Sequence, residues 1–298
     1  MIPAALEALK NCQASTNFPN MELSVVSALT SQPQFMHTRG NYVNSHNVRR
    51  YLEANNLRLL ISDKEKKFVL CKEKDFLNRA TDFLNHSCAV LLQADPTSTV
   101  LRKVRKIISL PTILALPGRV DPPTNVACTR LFFEVKTHKE GWPLRPLVNK
   151  RTHPAFHLKK ALAKLLSGLL PPSHLVTSSS IAVKTHISSV LDHIPQNEYT
   201  YYKLDVVALY PSVLQFEAVM LANAMLIKKG CTAQEVLELR EALLFISENN
   251  YFQFRGQIYL QQQGVPMGSP LSAVLAELIM RNIEFKMFKF PIMIKYLF

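Results

Sequence analysis

Asp205 lies in LDVVALYPSV (204–213), where it is the single charge in a run of apolar, aromatic and β-branched residues. Such a run reads as a buried strand, and a lone buried carboxylate is costly unless something offsets its charge. One reading is a strand-end Asp that is solvated or paired with a nearby lysine. The other is a metal ligand, because carboxylate oxygens suit Mg2+, which in turn bridges phosphate oxygens of a substrate. Some sixty residues on comes QGVPMGSPLS (263–272), which holds two of the chain's eight glycines beside Pro266 and Pro270. Glycine lets backbone approach a neighbour closely and proline fixes φ, so this is a shaped loop. It is either a plain loop–helix junction or a cradle against a nucleotide. Ser269 and Pro270 read as an N-cap and first-turn proline.

The loop is not a phosphate loop of the G-x-x-x-x-G-K-[ST] kind, and Rossmann and kinase signatures are also missing. Five cysteines lie far apart with no C-x-x-C pair, which argues against a disulfide framework or zinc knuckle and fits a reducing, intracellular setting. His153 and His157, spaced i, i+4, have no local carboxylate or cysteine and read as surface residues. The formal net charge of +13 and pI near 9.6 are the footprint of a polyanion binder, or of a basic protein whose charge serves solubility. No apolar run reaches the ~18 residues that span a bilayer, and the N-terminus has no signal-peptide pattern. No membrane partner is expected.

The elements that must position these residues follow from periodicity and punctuation. Residues 1–55 read as an irregular arm running into a short helix, 56–200 as a region of short strands and helices, and 201–298 as a layer built on the Asp205 strand. KFVLCK reads as a strand and the helix after it starts near Asp75. TSTVLRKVRKII is a basic helix whose Arg102, Lys103, Arg105 and Lys106 either face phosphate or form a solvated face. Leu131–Val135 and Leu144–Val148 read as paired strands around a basic turn. PAFHLKKALAKLLSGLL and TSSSIAVKTHISSVLDHI read as helices. Tyr201–Ser212 reads as a central strand, followed by a helix from Gln215 that Gly230 stops. Thr232–Glu235 is a capping box, and YFQFRGQIYLQQ is a hairpin turning at Arg255–Gly256. A last helix buries Leu271, Val274, Leu275, Leu278 and Ile279, and Ile292–Leu297 reads as a strand antiparallel to the central one. The class is α+β, an antiparallel sheet packed on helices.

KLDVVALYPSV followed by QGVPMGSPLSAVLAELIM resembles the palm of reverse transcriptases. Upstream, SDKEKKFVLCKEKDF and VKTHKEGWPLRPLVN resemble the fingers of the Penelope-like retroelement branch, which carries a DK…V stretch, an LPK-x-HK element and an RP-[IL]-V strand in this order. The resemblance spans about residues 60–298 and departs from the pattern at Glu134-Val135-Lys136, where the family has LPK. It implies a right-hand polymerase fingers region and partial palm, with RNA template, DNA primer and dNTPs as partners. It implies that Asp205, with the Val206 carbonyl, binds catalytic Mg2+. It makes Tyr210 the gate against a ribose 2′-hydroxyl and brings Lys136 and Arg145 to the incoming triphosphate. Gln263 and Gly264 would line the template–nucleotide pocket, which Pro266, Gly268 and Ser269 shape. The family's paired aspartates, thumb and GIY-YIG endonuclease do not occur before Phe298. The chain is therefore expected to be inactive as it stands, as a truncated reading frame or degenerate copy. The alternative is a non-catalytic nucleic-acid-binding remnant with a polymerase fold.

Overall fold

The computed structural model describes residues 24–25, 45–170, 181, 184–185, 188 and 206–288. The expected strand at Ile292–Leu297, most of the helix expected over 177–194, and Asp205 itself lie outside them. The chain forms two compact units, each assembled from three separate stretches.

The first unit draws on Met1–Asp95, Cys128–Lys150 and Tyr251–Gln262. Its strands are β1 (Ser24–Val25), β2 (Leu57–Ser62), β3 (Phe68–Lys72), β4 (Ala89–Leu92), β5 (Leu131–Val135), β6 (Leu144–Val148), β7 (Tyr251–Phe254) and β8 (Gln257–Gln261). They form a five-stranded sheet in the order β1-β3-β2-β5-β6 and a three-stranded sheet in the order β4-β8-β7. The larger sheet is mixed rather than antiparallel as expected, because β2 and β5 run parallel, joined only at Ile61–Glu134 and Ser62–Val135. Helices α1 (Ser45–Ala54) and α2 (Glu73–His86) complete the unit. On α2, Phe76, Ala80 and Leu84 recur every four residues, which puts one apolar stripe against the sheet. The core there is aromatic: Phe76, Phe83 and Phe254 each meet the Phe133 ring edge-on, with centroids 5.6–5.9 Å away. The β7–β8 turn falls at Arg255–Gly256, both at positive φ as a two-residue hairpin requires.

The second unit draws on Pro96–Ala127, Arg151–Asn250 and Gln263–Phe298. Its described elements are helical: α3 (Thr97–Ile108), α4 (Pro111–Leu114), α5 (Phe156–Leu169), α6 (Leu209–Ser212), α7 (Gln215–Lys228), α8 (Ala233–Glu248) and α9 (Ser272–Phe288). On α3, Val100, Val104 and Ile107 are buried while Arg102, Lys103, Arg105 and Lys106 stay exposed. The capping box forms as read, with the Thr232 hydroxyl accepting from the Glu235 N–H and the Glu235 carboxylate accepting from the Thr232 N–H. The buried Glu238 carboxylate accepts from the Thr112 N–H at 2.9 Å, so it caps the one-turn helix α4. The α9 stripe from Leu271 to Ile279 is buried as expected. Contrary to the surface reading, His153 is fully buried. Its Nδ1 accepts from the Ala155 N–H at 3.1 Å, which leaves Nε2–H to donate to the Asn249 carbonyl at 3.1 Å. Among the described residues, no helix is long and apolar enough to cross a membrane.

Lys159 on α5 is fully buried, and its Nζ has no hydrogen-bond partner. Burial pushes its pKa down from 10.5 to about 7. Between those values the unfolded chain binds a proton that the folded chain does not, so stability rises with pH across the window. The full cost of the buried ammonium is present at and below about pH 7 and is gone near pH 10.5. Lys159→Met should therefore raise the urea midpoint at neutral pH and flatten its rise with pH. A substituted chain that keeps the wild-type pH slope would exclude Lys159 as its source.

Candidate functional site

The residues singled out by sequence fall into two groups, one in each unit. In the helical unit, Val206 and Val207 are exposed, at 45% and 86%. Where the sequence predicts a buried strand, the chain turns at Ala208, which adopts the left-handed conformation (φ 53°, ψ 48°). This lets Ser212 close a helical turn, its N–H and hydroxyl both meeting the Ala208 carbonyl at 3.1 and 3.0 Å. Tyr210 thus sits on a one-turn helix. Pro211 favours this turn over a strand, since it has no N–H to give to a central ladder and fits the first turn of a helix. A non-glycine residue in the left-handed region costs about 1–2 kcal/mol, the kind of strain that clusters at functional sites.

The glycine-bearing loop docks onto this turn. The Val265 N–H donates to the Tyr210 carbonyl at 2.8 Å. The Gln215 side-chain amide donates to the Gly264 carbonyl at 2.5 Å and accepts from Asn250 Nδ2 at 3.2 Å. Gly264 is at φ +73°, and a Cβ there would lie 2.6 Å from Pro211 Cα, 2.7 Å from the Pro211 carbonyl and 2.8 Å from that of Tyr210. The close approach that the glycine permits is thus to the chain's own backbone. Gln263, one residue before it, is exposed. Pro266 is buried and its carbonyl accepts from the Ser272 hydroxyl at 2.8 Å. Gly268 is exposed at φ +97°. Helix α9 begins at Ser272, so Ser269 is not its N-cap. Its carbonyl closes a preceding turn with the Ser272 N–H, and the first α-helical bond runs from the Leu275 N–H to the Leu271 carbonyl.

In the sheet unit, Lys136 and Arg145 lie on the β5–β6 hairpin. The Lys136 N–H donates to the Pro143 carbonyl at 3.0 Å, while the Arg79 guanidinium donates to the Gly141 and Trp142 carbonyls and fixes the turn. Arg145 is opposite Glu134 in register and sends Nη1 to within 3.5 Å of Asp63 Oδ2. The Asp63 side chain is 5% exposed; its Oδ1 accepts no hydrogen bond, and His138 Nδ1 is 3.7 Å from it. Asp63 and His138 therefore join Arg145 at one buried carboxylate, a grouping that sequence reading did not make. The signal was present, since the DK, H-K and R-P stretches each contribute one member.

The Mg2+ implied by the resemblance would need Asp205, and among the described residues no three of His, Cys, Asp and Glu converge as a ligand set. What the described geometry supplies is a half-exposed guanidinium loosely held by a buried carboxylate, and a strained turn clamped by a glycine. No family model matches the chain, and no curated protein matches it in sequence.

Two substitutions test the clamp. Gly264→Ala combines left-handed strain with overpacking and should destabilise the fold by about 2–5 kcal/mol. Ala208→Gly relieves strain at the expense of unfolded-state entropy and should stay within about 1 kcal/mol of the parent. Urea unfolding reads both, and an undisturbed Gly264→Ala would refute the close approach.

Proposed function

We propose that this chain is the fingers and part of the palm of a reverse transcriptase of the Penelope-like branch, a template-directed nucleotidyltransferase. The observation that carries the reading is the convergence at Asp63: SDKEKK, KTHK and LRPLV each contribute to it, with contacts of 3.5 and 3.7 Å. These are the stretches whose order and spacing carry the fingers resemblance. The proposed reaction is attack of a primer 3′-hydroxyl on the α-phosphate of a dNTP, templated by RNA.

In this reading Arg145 takes the triphosphate. Its side chain is 42% exposed, and its 3.5 Å contact to Asp63 runs through Nη1 alone, on a planar fork that meets phosphate with two N–H groups. Lys136 adds a second charge from the same hairpin. Tyr210, fixed through its own carbonyl by Val265, is the sugar gate. Asp205 and the Val206 carbonyl are assigned to Mg2+, and Gln263 with Gly264 to the template side.

The test measures two affinities of the purified chain, for an RNA–DNA primer–template and for a labelled dNTP. Duplex affinity should fall steeply with salt because phosphate contacts release counterions. Arg145→Ala should weaken dNTP binding about tenfold to a hundredfold, the loss of one or two charge-assisted hydrogen bonds, with duplex affinity little changed. Tyr210→Ala should narrow the preference for deoxy- over ribonucleotide. Salt-sensitive duplex binding with no dNTP binding would return the chain to the alternative, a non-catalytic nucleic-acid binder.

A further inference from the structure

The parallel ladder between β2 and β5 is unzipped over most of its length. On β2, the Ser62 N–H donates to the Lys67 carbonyl and the Glu73 N–H to that of Asn56, so Arg58 and Leu60 spend their main-chain groups on β3. By the alternation of an antiparallel pair, Leu57 and Leu59 direct theirs toward β5. On β5, the Asn149 N–H donates to the Arg130 carbonyl and the Lys136 N–H to that of Pro143, so Leu131 and Phe133 face β2. Running the register back from Ile61–Glu134 would pair Leu59 with Phe132 and Leu57 with Arg130, yet the ladder stops at Ile61. A single bridge from Arg130 to Gln253 closes the far end. The space left between the strands is a cavity of about 850 Å³.

Its rim is basic. Arg58 comes from β2, Arg130 from the residue just before β5, Arg255 from the β7–β8 turn and Arg49 from α1. Arg58 and Arg255 are pre-ordered by one carboxylate: Glu73 accepts from Arg58 at 2.7 and 2.8 Å and from Arg255 at 2.6 Å. Two guanidiniums share one negative charge there. Arg49 is held only by an exposed pair with Glu53 on its own helix, a contact of small energy.

We propose that this gap is a docking groove for an extended acidic peptide of a partner protein, which enters as an additional strand between β2 and β5. The walls are strand edges whose amides repeat at the spacing that another strand matches. The rim arginines suit carboxylates borne at alternate positions of that strand. A single-stranded nucleic acid fits less well, because bases need open ring faces. Phe76 and Phe254 each engage Phe133, two of the contacts being edge-on, which leaves Phe132 as the exposed ring of the lining.

The experiment uses the full chain and four labelled probes: an alternating valine–glutamate octapeptide, its lysine counterpart, the glutamate peptide N-methylated along one edge, and oligouridylate. Fluorescence anisotropy gives affinities, and amide hydrogen exchange reports on Leu59 and Phe133. The glutamate peptide should bind and slow exchange at both amides. N-methylation should weaken binding about tenfold or more, since several main-chain hydrogen bonds are lost. The lysine peptide, and the glutamate peptide with the Arg130→Glu chain, should show losses of similar size. Equal binding of the methylated and parent peptides would overturn strand insertion. Failure of the glutamate peptide to bind, or protection of these amides by oligouridylate alone, would overturn the peptide assignment. None of these outcomes depends on dNTP binding.

Discussion

The contact of Gly264 with the Tyr210–Pro211 backbone fixes the candidate site of the helical unit. A single missing Cβ lets two main-chain segments meet, and three further groups then lock in place. Val265 holds Tyr210 through its carbonyl, Gln215 at the start of α7 holds Gly264, and Asn250 after α8 holds Gln215. Each of these hydrogen bonds contributes about 1 kcal/mol, but they form only if the backbones can close. The strained Ala208 persists for the same reason, since the turn that it opens is over-determined by the loop docked against it.

Two acids organise the sheet unit in different ways. Glu73 is saturated, with three hydrogen bonds of 2.6–2.8 Å, and the Arg58 hydrogen bonds foremost hold its pKa below the usual carboxylate range. Asp63 is more buried than Glu73, yet its contacts are at 3.5 and 3.7 Å and one oxygen accepts nothing. Leaving a buried carboxylate underused costs stability that a second donor would recover. The arrangement makes sense if Arg145 must be free to transfer part of its fork to an anion and return.

Local chemistry made much of the fold legible. The β5–β6 hairpin, the capping box, the β7–β8 turn and the α9 stripe all follow from short-range rules, and each is present as read. The failures came where long-range contacts decide. LDVVALYPSV has strand composition, but Ala208 and Pro211 turn its second half into a helix because the Gly264 loop supplies the partner that a sheet would have supplied. The four-residue strand β4 is too short for periodicity to separate from the end of α2. His153 lost its surface reading because its two ring nitrogens find main-chain partners 96 and 2 residues away, which no spacing rule reports. At the candidate site the motif residues were legible one by one. Their meeting at Asp63 was not, because it depends on the β2–β5 pairing between strands nearly seventy residues apart.

That pairing also governs where positive charge becomes useful. A net charge of +13 says that anions are attracted, not where they bind. The basic face of α3 has four exposed cations, but each long side chain would lose up to about 2 kcal/mol of rotamer freedom on being ordered by a ligand. Arg58 and Arg255 have already lost theirs to Glu73, and Arg58 lies over the Phe76 ring at 4.8 Å as well. An anion arriving there meets donors that are already aimed. Order, supplied by one ionised carboxylate, therefore distinguishes the groove beside β2 from the rest of a basic surface, and the short β2–β5 ladder is what leaves that groove open.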